Sequence, residues 1–125
     1  MEREKETERG SALFQQGRQA MAANDLQSAI GFLEQSAQVV PHFKTFELLG
    51  ECLLKRGQAQ DALIPLRKAV EIGNKPYRSL YLLGQALRDS GKRAEAMECL
   101  ARAIEMKPDY KAARTLHDEL RGPSR

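Results

Sequence analysis

The sequence predicts an all-α chain built as a stack of antiparallel helix pairs, and three observations carry that prediction. Apolar residues recur at helical spacing in seven stretches, each about one helix long, and no stretch reads as a strand. Gly17, Gly50 and Gly84 are spaced by 33 and 34 residues, as are Ala29, Ala62 and Ala96, and Leu33, Leu66 and Leu100. A fixed period of this size marks stacked units, none of which can bury its apolar face alone. The third observation is compositional: no Trp and only 6% aromatic residues, so Leu, Ile, Met and Ala must fill the core. Interlocked Ala and Leu suit close helix packing.

At 125 residues and 14.0 kDa the chain is one domain's worth, long enough to bury roughly two-thirds of its unfolded surface. With 42% hydrophobic and 30% charged residues it reads as folded rather than disordered. Lys and Arg number 20 against 17 Asp and Glu, a formal charge of +3 spread along the chain. No basic cluster or stripe stands out, which argues against a nucleic-acid binder. Cys52 and Cys99 fall on separate segments without CxxC or Cys/His spacing, and read as reduced thiols acting as small hydrophobes. The start, MEREKETERG, lacks the apolar core of a secretory signal, and no run approaches the ~20 apolar residues of a membrane span. The expected setting is cytoplasmic, with no membrane partner.

Residues 1–9 form a charged extension. Opposite charges fall at i,i+3 (Glu2/Lys5, Arg3/Glu6, Glu6/Arg9) and like charges at i,i+4 (Glu4/Glu8, Lys5/Arg9). Support for helix is mixed there, so the expectation is a frayed, solvated start to the first helix. The first pair occupies 10–42, with Ala12, Leu13 and Ala20, then Leu26, Ala29, Ile30, Leu33, Ala37 and Val40. Asn24-Asp25 supplies the turn and cap between its two segments, and Pro41 ends the second.

The second pair, 43–76, runs Phe46, Leu49 and Leu53, then Ala62, Leu63, Leu66, Ala69 and Val70, broken at Lys55-Arg56-Gly57. Pro65 sits oddly in it, since a missing N–H in a helix interior costs up to ~3 kcal/mol. A start at Asp61 would put Pro65 in the first turn; the alternative is a local kink. The third pair, 77–110, is the clearest, broken at Asp89-Ser90-Gly91 and closed at Lys107-Pro108. A capping helix at 111–121 carries Ala113, Leu116 and Leu120 on one side, following Tyr110, and a tail follows at 122–125.

These positions resemble the tetratricopeptide repeat family, whose 34-residue unit reads W-x2-L-G-x2-Y, then A-x3-F, then P. The third unit matches as Leu80-x2-Leu83-Gly84-x2-Leu87, Ala96-x3-Leu100 and Pro108. The second matches as Phe46-x2-Leu49-Gly50-x2-Leu53 and Ala62-x3-Leu66, with Asn74 in place of the proline. The first matches as Leu13-x2-Gln16-Gly17-x2-Ala20, Ala29-x3-Leu33 and Pro41. The resemblance covers about residues 10–110 and implies a right-handed superhelical α-solenoid of three units plus a solvating cap. Gly and Ala at the shared positions let paired helices approach closely.

The resemblance further implies a concave groove lined by the first helix of each unit. Carried over residue by residue, the groove presents Phe14 and Arg18, then Lys44, Glu47, Leu48 and Glu51, then Arg78, Tyr81, Leu82, Gln85 and Arg88. Ser11, Gln15, Met21, Leu54, Lys55 and Asp89 flank them. Five bases (Arg18, Lys44, Lys55, Arg78, Arg88) face three acids (Glu47, Glu51, Asp89), a basic bias toward acidic segments. Phe14, Leu48, Leu54, Tyr81 and Leu82 are the expected exposed apolar anchors. Some members grip a chaperone's C-terminal carboxylate with two Lys, two Asn and an Arg. The matching places here hold Phe14, Arg18, Leu48, Arg78 and Leu82. Leucine cannot hydrogen-bond a carboxylate, so that clamp is not expected.

The leading functional expectation is a non-enzymatic module that binds a peptide or protein segment in the groove. The alternative is a self-associating scaffold, a homo-oligomer paired through Leu48, Leu54 and Leu82. Catalysis has little support: His42 and His117 lie far apart in the array, and no HExxH, phosphate loop or nucleophile motif occurs. No cofactor and no metal site are expected.

Overall fold

The computed structural model describes residues 1–123, and those residues hold seven helices and no strand. In chain order these are α1 (Glu2–Ala22), α2 (Leu26–Val39), α3 (Phe43–Lys55), α4 (Ala59–Ile72), α5 (Tyr77–Asp89), α6 (Arg93–Met106) and α7 (Lys111–Arg121). Of the tail expected at 122–125, residues 124–125 lie outside the described residues. Paired helices α1–α2, α3–α4 and α5–α6 pack on each other, and successive pairs join through α2–α3 and α4–α5, with α7 on α6. Contact between α3 and α5 marks an inner row of first helices, backed by the row α2, α4 and α6.

Each pair is held by one recurring contact. A Cβ placed on Gly17 would stand 2.8 Å from Leu33 Cδ2, one on Gly50 2.3 Å from Leu66 Cγ, and one on Gly84 2.9 Å from Leu100 Cδ2. No side chain tolerates such distances, so each leucine fills space that only glycine leaves. All three leucines are fully buried. Ala29, Ala62, Ala96, Ala69 and Ala103 are fully buried too, as close approach of helices requires.

The turns inside the pairs repeat as faithfully as the contacts. Asn24, Gly57 and Gly91, one period apart, have φ of 60°, 78° and 80°. The same two bonds close each turn: Gly57 N–H donates to Leu54 O (2.9 Å) and Gln58 N–H to Leu53 O (2.8 Å). At the third turn Gly91 and Lys92 donate to Arg88 O and Leu87 O; at the first, Asn24 and Asp25 donate to Met21 O and Ala20 O. Asparagine stands in for glycine because its short polar side chain tolerates the left-handed region. Asp25 then caps α2, its carboxylate accepting from Ser28 N–H at 3.2 Å. Gly57→Ala should therefore destabilise the chain by about 1 kcal/mol, while Asn24→Gly should leave stability within a few tenths. Urea unfolding midpoints check this, and an unchanged midpoint for Gly57→Ala would rule out the turn strain.

Two expectations are corrected. Residues 1–9 are exposed and extend the first helix as expected, but α1 is continuous from Glu2 rather than frayed. Glu2 and Glu4 in its first turn suit the positive end of the helix dipole. Helix α4 begins at Ala59, with Ala62 N–H already bonded to Gln58 O at 3.0 Å, so Pro65 lies in the interior and not in the first turn. Asp61's carbonyl consequently has no i+4 donor. Pro65 is buried, and that apolar contact offsets part of the lost bond.

Helix α7 docks through Ala113 and Leu116 onto Leu80, Leu100 and Ala103, with Leu120 and Tyr110 at the edge. Arg93 donates to Leu120 O, and Arg114 Nη1 to Pro108 O at 2.9 Å, tying both ends of the cap. Cys52 lies in the core cluster of Ala29, Leu33, Leu48 and Leu49, and burial pushes its thiol up to about 11. Cys99 is half-buried, and burial raises it as well. Both thiols are free and stay protonated at neutral pH, which keeps them inert as nucleophiles.

Candidate interaction surface on the inner helices

Three open depressions run along the inner row. The first lies between α1 and α3, lined by Ser11, Phe14, Gln15, Lys44 and Thr45, with Ser36, Val40 and His42 behind them. The second lies between α3 and α5, lined by Glu51, Leu54, Lys55, Arg78, Tyr81, Leu82, Gln85 and Asp89. Tyr81 and Gln85 also line the third, between α5 and α7, with Arg88, Lys111, Thr115 and Glu119. Most of the residues singled out from sequence thus share one face. Arg18, Glu47, Leu48 and Met21 line none of the three. Arg18 instead lies over the Phe14 ring, its guanidinium 5.9 Å from the centroid.

Three of the expected groove residues are buried, and of these only Leu82 reaches a depression. Leu48 and Leu82 are buried, at 8% and 5% exposure, and Glu47 is buried at 2%. Leu48 packs with Leu33, Leu49 and Cys52 beside Phe14 and Met21; Leu82 packs with Leu83 and Ala86 beside Leu54. Neighbouring inner helices must pack on one another, and that contact takes up all but a small part of these leucines, Leu82 keeping an edge on the second depression. Their counterpart one period on, Leu116, is buried for the same reason. The exposed leucine surface imagined for self-association is therefore reduced to the half-buried Leu54.

Glu47 is the hub of an ion-pair network. Its Oε1 accepts from Lys44 Nζ at 2.7 Å and from Arg78 Nη1 at 3.1 Å, and its Oε2 accepts from Ser79 Oγ at 2.6 Å. Arg78 Nη2 donates to Glu51 Oε1 at 2.8 Å, and Lys55 Nζ lies 3.6 Å from Glu51. Burial alone pushes the Glu47 carboxyl up. The hydrogen bonds from Lys44 and Ser79 and the charges of Lys44 and Arg78 outweigh it and hold the group below its ordinary value. Arg88 pairs with Asp89 at 2.9 Å. Four of the five bases on this face are thus committed internally, and the basic bias counted from sequence contracts to Arg18.

Sequence reasoning missed the contributions of α7 and of the α2–α3 link. A signal for the first existed: Thr115 and Glu119 stand one 34-residue step beyond Tyr81 and Gln85. His42 is the N-cap of α3, its Nδ1 accepting from Lys44 N–H at 3.1 Å. Among the described residues no cluster of His, Cys, Asp and Glu is arranged to hold a metal ion, and no helix is long and apolar enough to cross a membrane.

Comparison with known proteins agrees with this architecture. A search of curated proteins finds no match. Among solved structures, the Arabidopsis OM64 TPR domain superposes with a TM-score of 0.89 at 19% identity, covering 93% of this chain and 97% of that one. The first TPR of Spaghetti (RPAP3), solved with the HSP90 peptide SRMEEVD, gives 0.88 at 15% identity, covering 92% of each. The Sgt2 TPR domain from Aspergillus fumigatus gives 0.83 at 20%, covering 90% of this chain and 76% of that one. At such identities the likeness is one of fold. Sequence models of the tetratricopeptide repeat match residues 14–78 and 77–110. With more than half the chain matched by one of them, and with the glycine–leucine pairs and turns recurring at its period, the chain belongs to the tetratricopeptide repeat family.

Proposed function

We propose that the chain is a non-enzymatic interaction module that holds a peptide or protein segment along the inner helices α1, α3, α5 and α7. The observation that carries this is the continuity of the second and third depressions, which share Tyr81 and Gln85. Phe14 marks the first depression and Tyr81 the others, and both side chains are half-buried. Rigid aromatics of that kind give contact area at little entropic cost. The RPAP3 domain of the same fold was solved with a peptide bound, which supports the class of ligand.

The segment is held chiefly by apolar contact. Arg78 cannot release Glu47 and Glu51 without leaving a buried carboxylate short of a partner. An acidic residue in the segment finds its base at Lys111 in the third depression, which has no ion-pair partner among the described residues, or at Arg18 over the Phe14 ring. Phe14→Ala/Tyr81→Ala should weaken peptides selected from a random display library by roughly tenfold or more, the usual loss for buried aromatic anchors. Fluorescence anisotropy reads the affinity. Full retention by the double variant, with unchanged circular dichroism, would remove this face as the site.

A further inference from the structure

The outer side of the molecule carries a second groove, between α2 and α4, with α3 as its floor. Phe46, Leu49 and Leu53 form that floor. Their counterparts one period on, Leu80, Leu83 and Leu87, are 0%, 3% and 0% exposed, whereas Phe46 and Leu53 remain half-buried. The same register positions are thus sealed between α4 and α6 and open between α2 and α4.

Two substitutions account for the difference. Val70 of α4 packs over the α5 floor, and the matching residue of α2 is Ala37, which lacks two methyl groups. Arg67 of α4 reaches Glu95 of α6 at 3.3 Å, bridging the sealed seam. The matching residues at the open seam are Glu34 and Asp61, two acids that cannot bridge it. Among the described residues neither has an ion-pair partner. On the same wall, Pro65 deprives Asp61's carbonyl of its i+4 donor. Ile64 stands beside it, 78% exposed. Of the bases around the groove, Arg67 is paired with Glu95 and Lys68 with Glu71, and Arg56 lies at the C-terminal end of α3.

We infer that this outer groove is a docking site for a basic, aliphatic segment of a partner protein. Its aliphatic side chains cover Phe46 and Leu53 beside Ile64, and a Lys or Arg lies between Glu34 and Asp61. The sealed seam shows the chemistry that completes such a site, a branched aliphatic over the floor and one base against one acid. The open seam lacks both, and a partner supplies them. The site is separate from the inner face and does not depend on the function proposed for it.

The molecule also provides the control. Glu34→Arg/Ala37→Val copies Arg67 and Val70 into α2 and should close the groove while leaving the chain folded. Short random peptides displayed on phage are selected on the full chain, and each clone is re-measured on this variant, on Ile64→Lys and on Phe14→Ala/Tyr81→Ala. The expected result is a class of clones carrying Lys or Arg beside aliphatic residues. Their binding falls about fivefold or more with either outer-groove change and is unaffected by the inner-face change. Ile64→Lys alters an exposed side chain and repels a basic segment, so it stands as the test if the double variant misfolds. Selected clones that are all indifferent to the outer-groove changes would overturn the proposal, as would sensitive clones without basic residues. A wild-type dimer in sedimentation that Ile64→Lys converts to monomer would overturn it as well, assigning the groove to a second copy of the chain.

Discussion

Leu66→Ala is expected to cost about 2–5 kcal/mol, the range for emptying a fully buried leucine site. Against the 5–15 kcal/mol of a typical domain, that is a large share of total stability. Leu66 is 0% exposed and sits at the centre of the cluster of Ala62, Leu82, Leu83, Ala86, Leu87 and Ala96, which joins the second pair to the third. Its partner is a bare backbone, since a Cβ on Gly50 would meet Leu66 Cγ at 2.3 Å and Cδ2 at 2.4 Å. Gly50→Ala alone gains up to ~1 kcal/mol of helix propensity and loses about 1–3 kcal/mol to overpacking. The buried Leu66 cannot swing aside, so the net change is a loss. Combined, the two substitutions should be milder than their sum, because the new methyl enters the space that Leu66 vacates. Gly31→Ala is the control: nothing lies within 4 Å of its Cβ, and it should stabilise by up to ~1 kcal/mol. Chemical denaturation of the four variants decides the matter, and strict additivity would show that the glycine and leucine do not compete for one space.

That pairing was legible from the spacing of Gly17, Gly50 and Gly84 against Leu33, Leu66 and Leu100, because identical contacts must recur at identical positions. So were the turns, where Asn24, Gly57 and Gly91 interrupt the apolar pattern. What the period could not resolve was which apolar residues of an inner helix face its neighbour and which face outward. Leu48 and Leu82 looked like groove anchors, although Leu116, in the same register, was already grouped with Ala113 and Leu120 on one side of the cap. Comparing the three would have corrected both. Pro65 misled in the opposite direction, since helix propensity alone moves the helix start and tertiary burial moves it back. The Lys44/Glu47 pair sits at i,i+3 on α3 and was readable from spacing, but the rest of the network had no sequence signature, because Arg78 and Ser79 meet Glu47 only once α3 and α5 are placed side by side. The outer groove was hidden for a related reason. Ala37, Glu34 and Asp61 are unremarkable one at a time and become informative only against Val70, Arg67 and Glu95.

Glu47→Gln is expected to destabilise the chain at neutral pH, and the deficit should shrink as the pH falls below about 4.5, the ordinary value for this carboxyl. The carboxyl is held below that value in the folded chain, so the folded state binds its proton less readily than the unfolded state. Its contribution is therefore complete above the unfolded value and is lost as the pH falls through the folded one. The amide keeps one acceptor for Ser79 Oγ or Lys44 Nζ but cannot offer a charge to both Lys44 and Arg78. Lys44 and Arg78 remain 42% and 40% exposed, so water takes up part of what they lose. The full penalty for breaking a buried pair does not apply. Glu47→Ala goes further, leaving the fully buried Ser79 hydroxyl without an acceptor, and should cost about 2–3 kcal/mol. Thermal unfolding of wild type and Glu47→Gln across the acid range reads the difference directly. Parallel curves with a constant gap would show that the hydrogen-bonding shape of the side chain, rather than its charge, holds α3 to α5. Converging curves would place the charge of one buried carboxylate at the joint between the second and third helix pairs, where it also holds the Arg78 guanidinium in an internal pair.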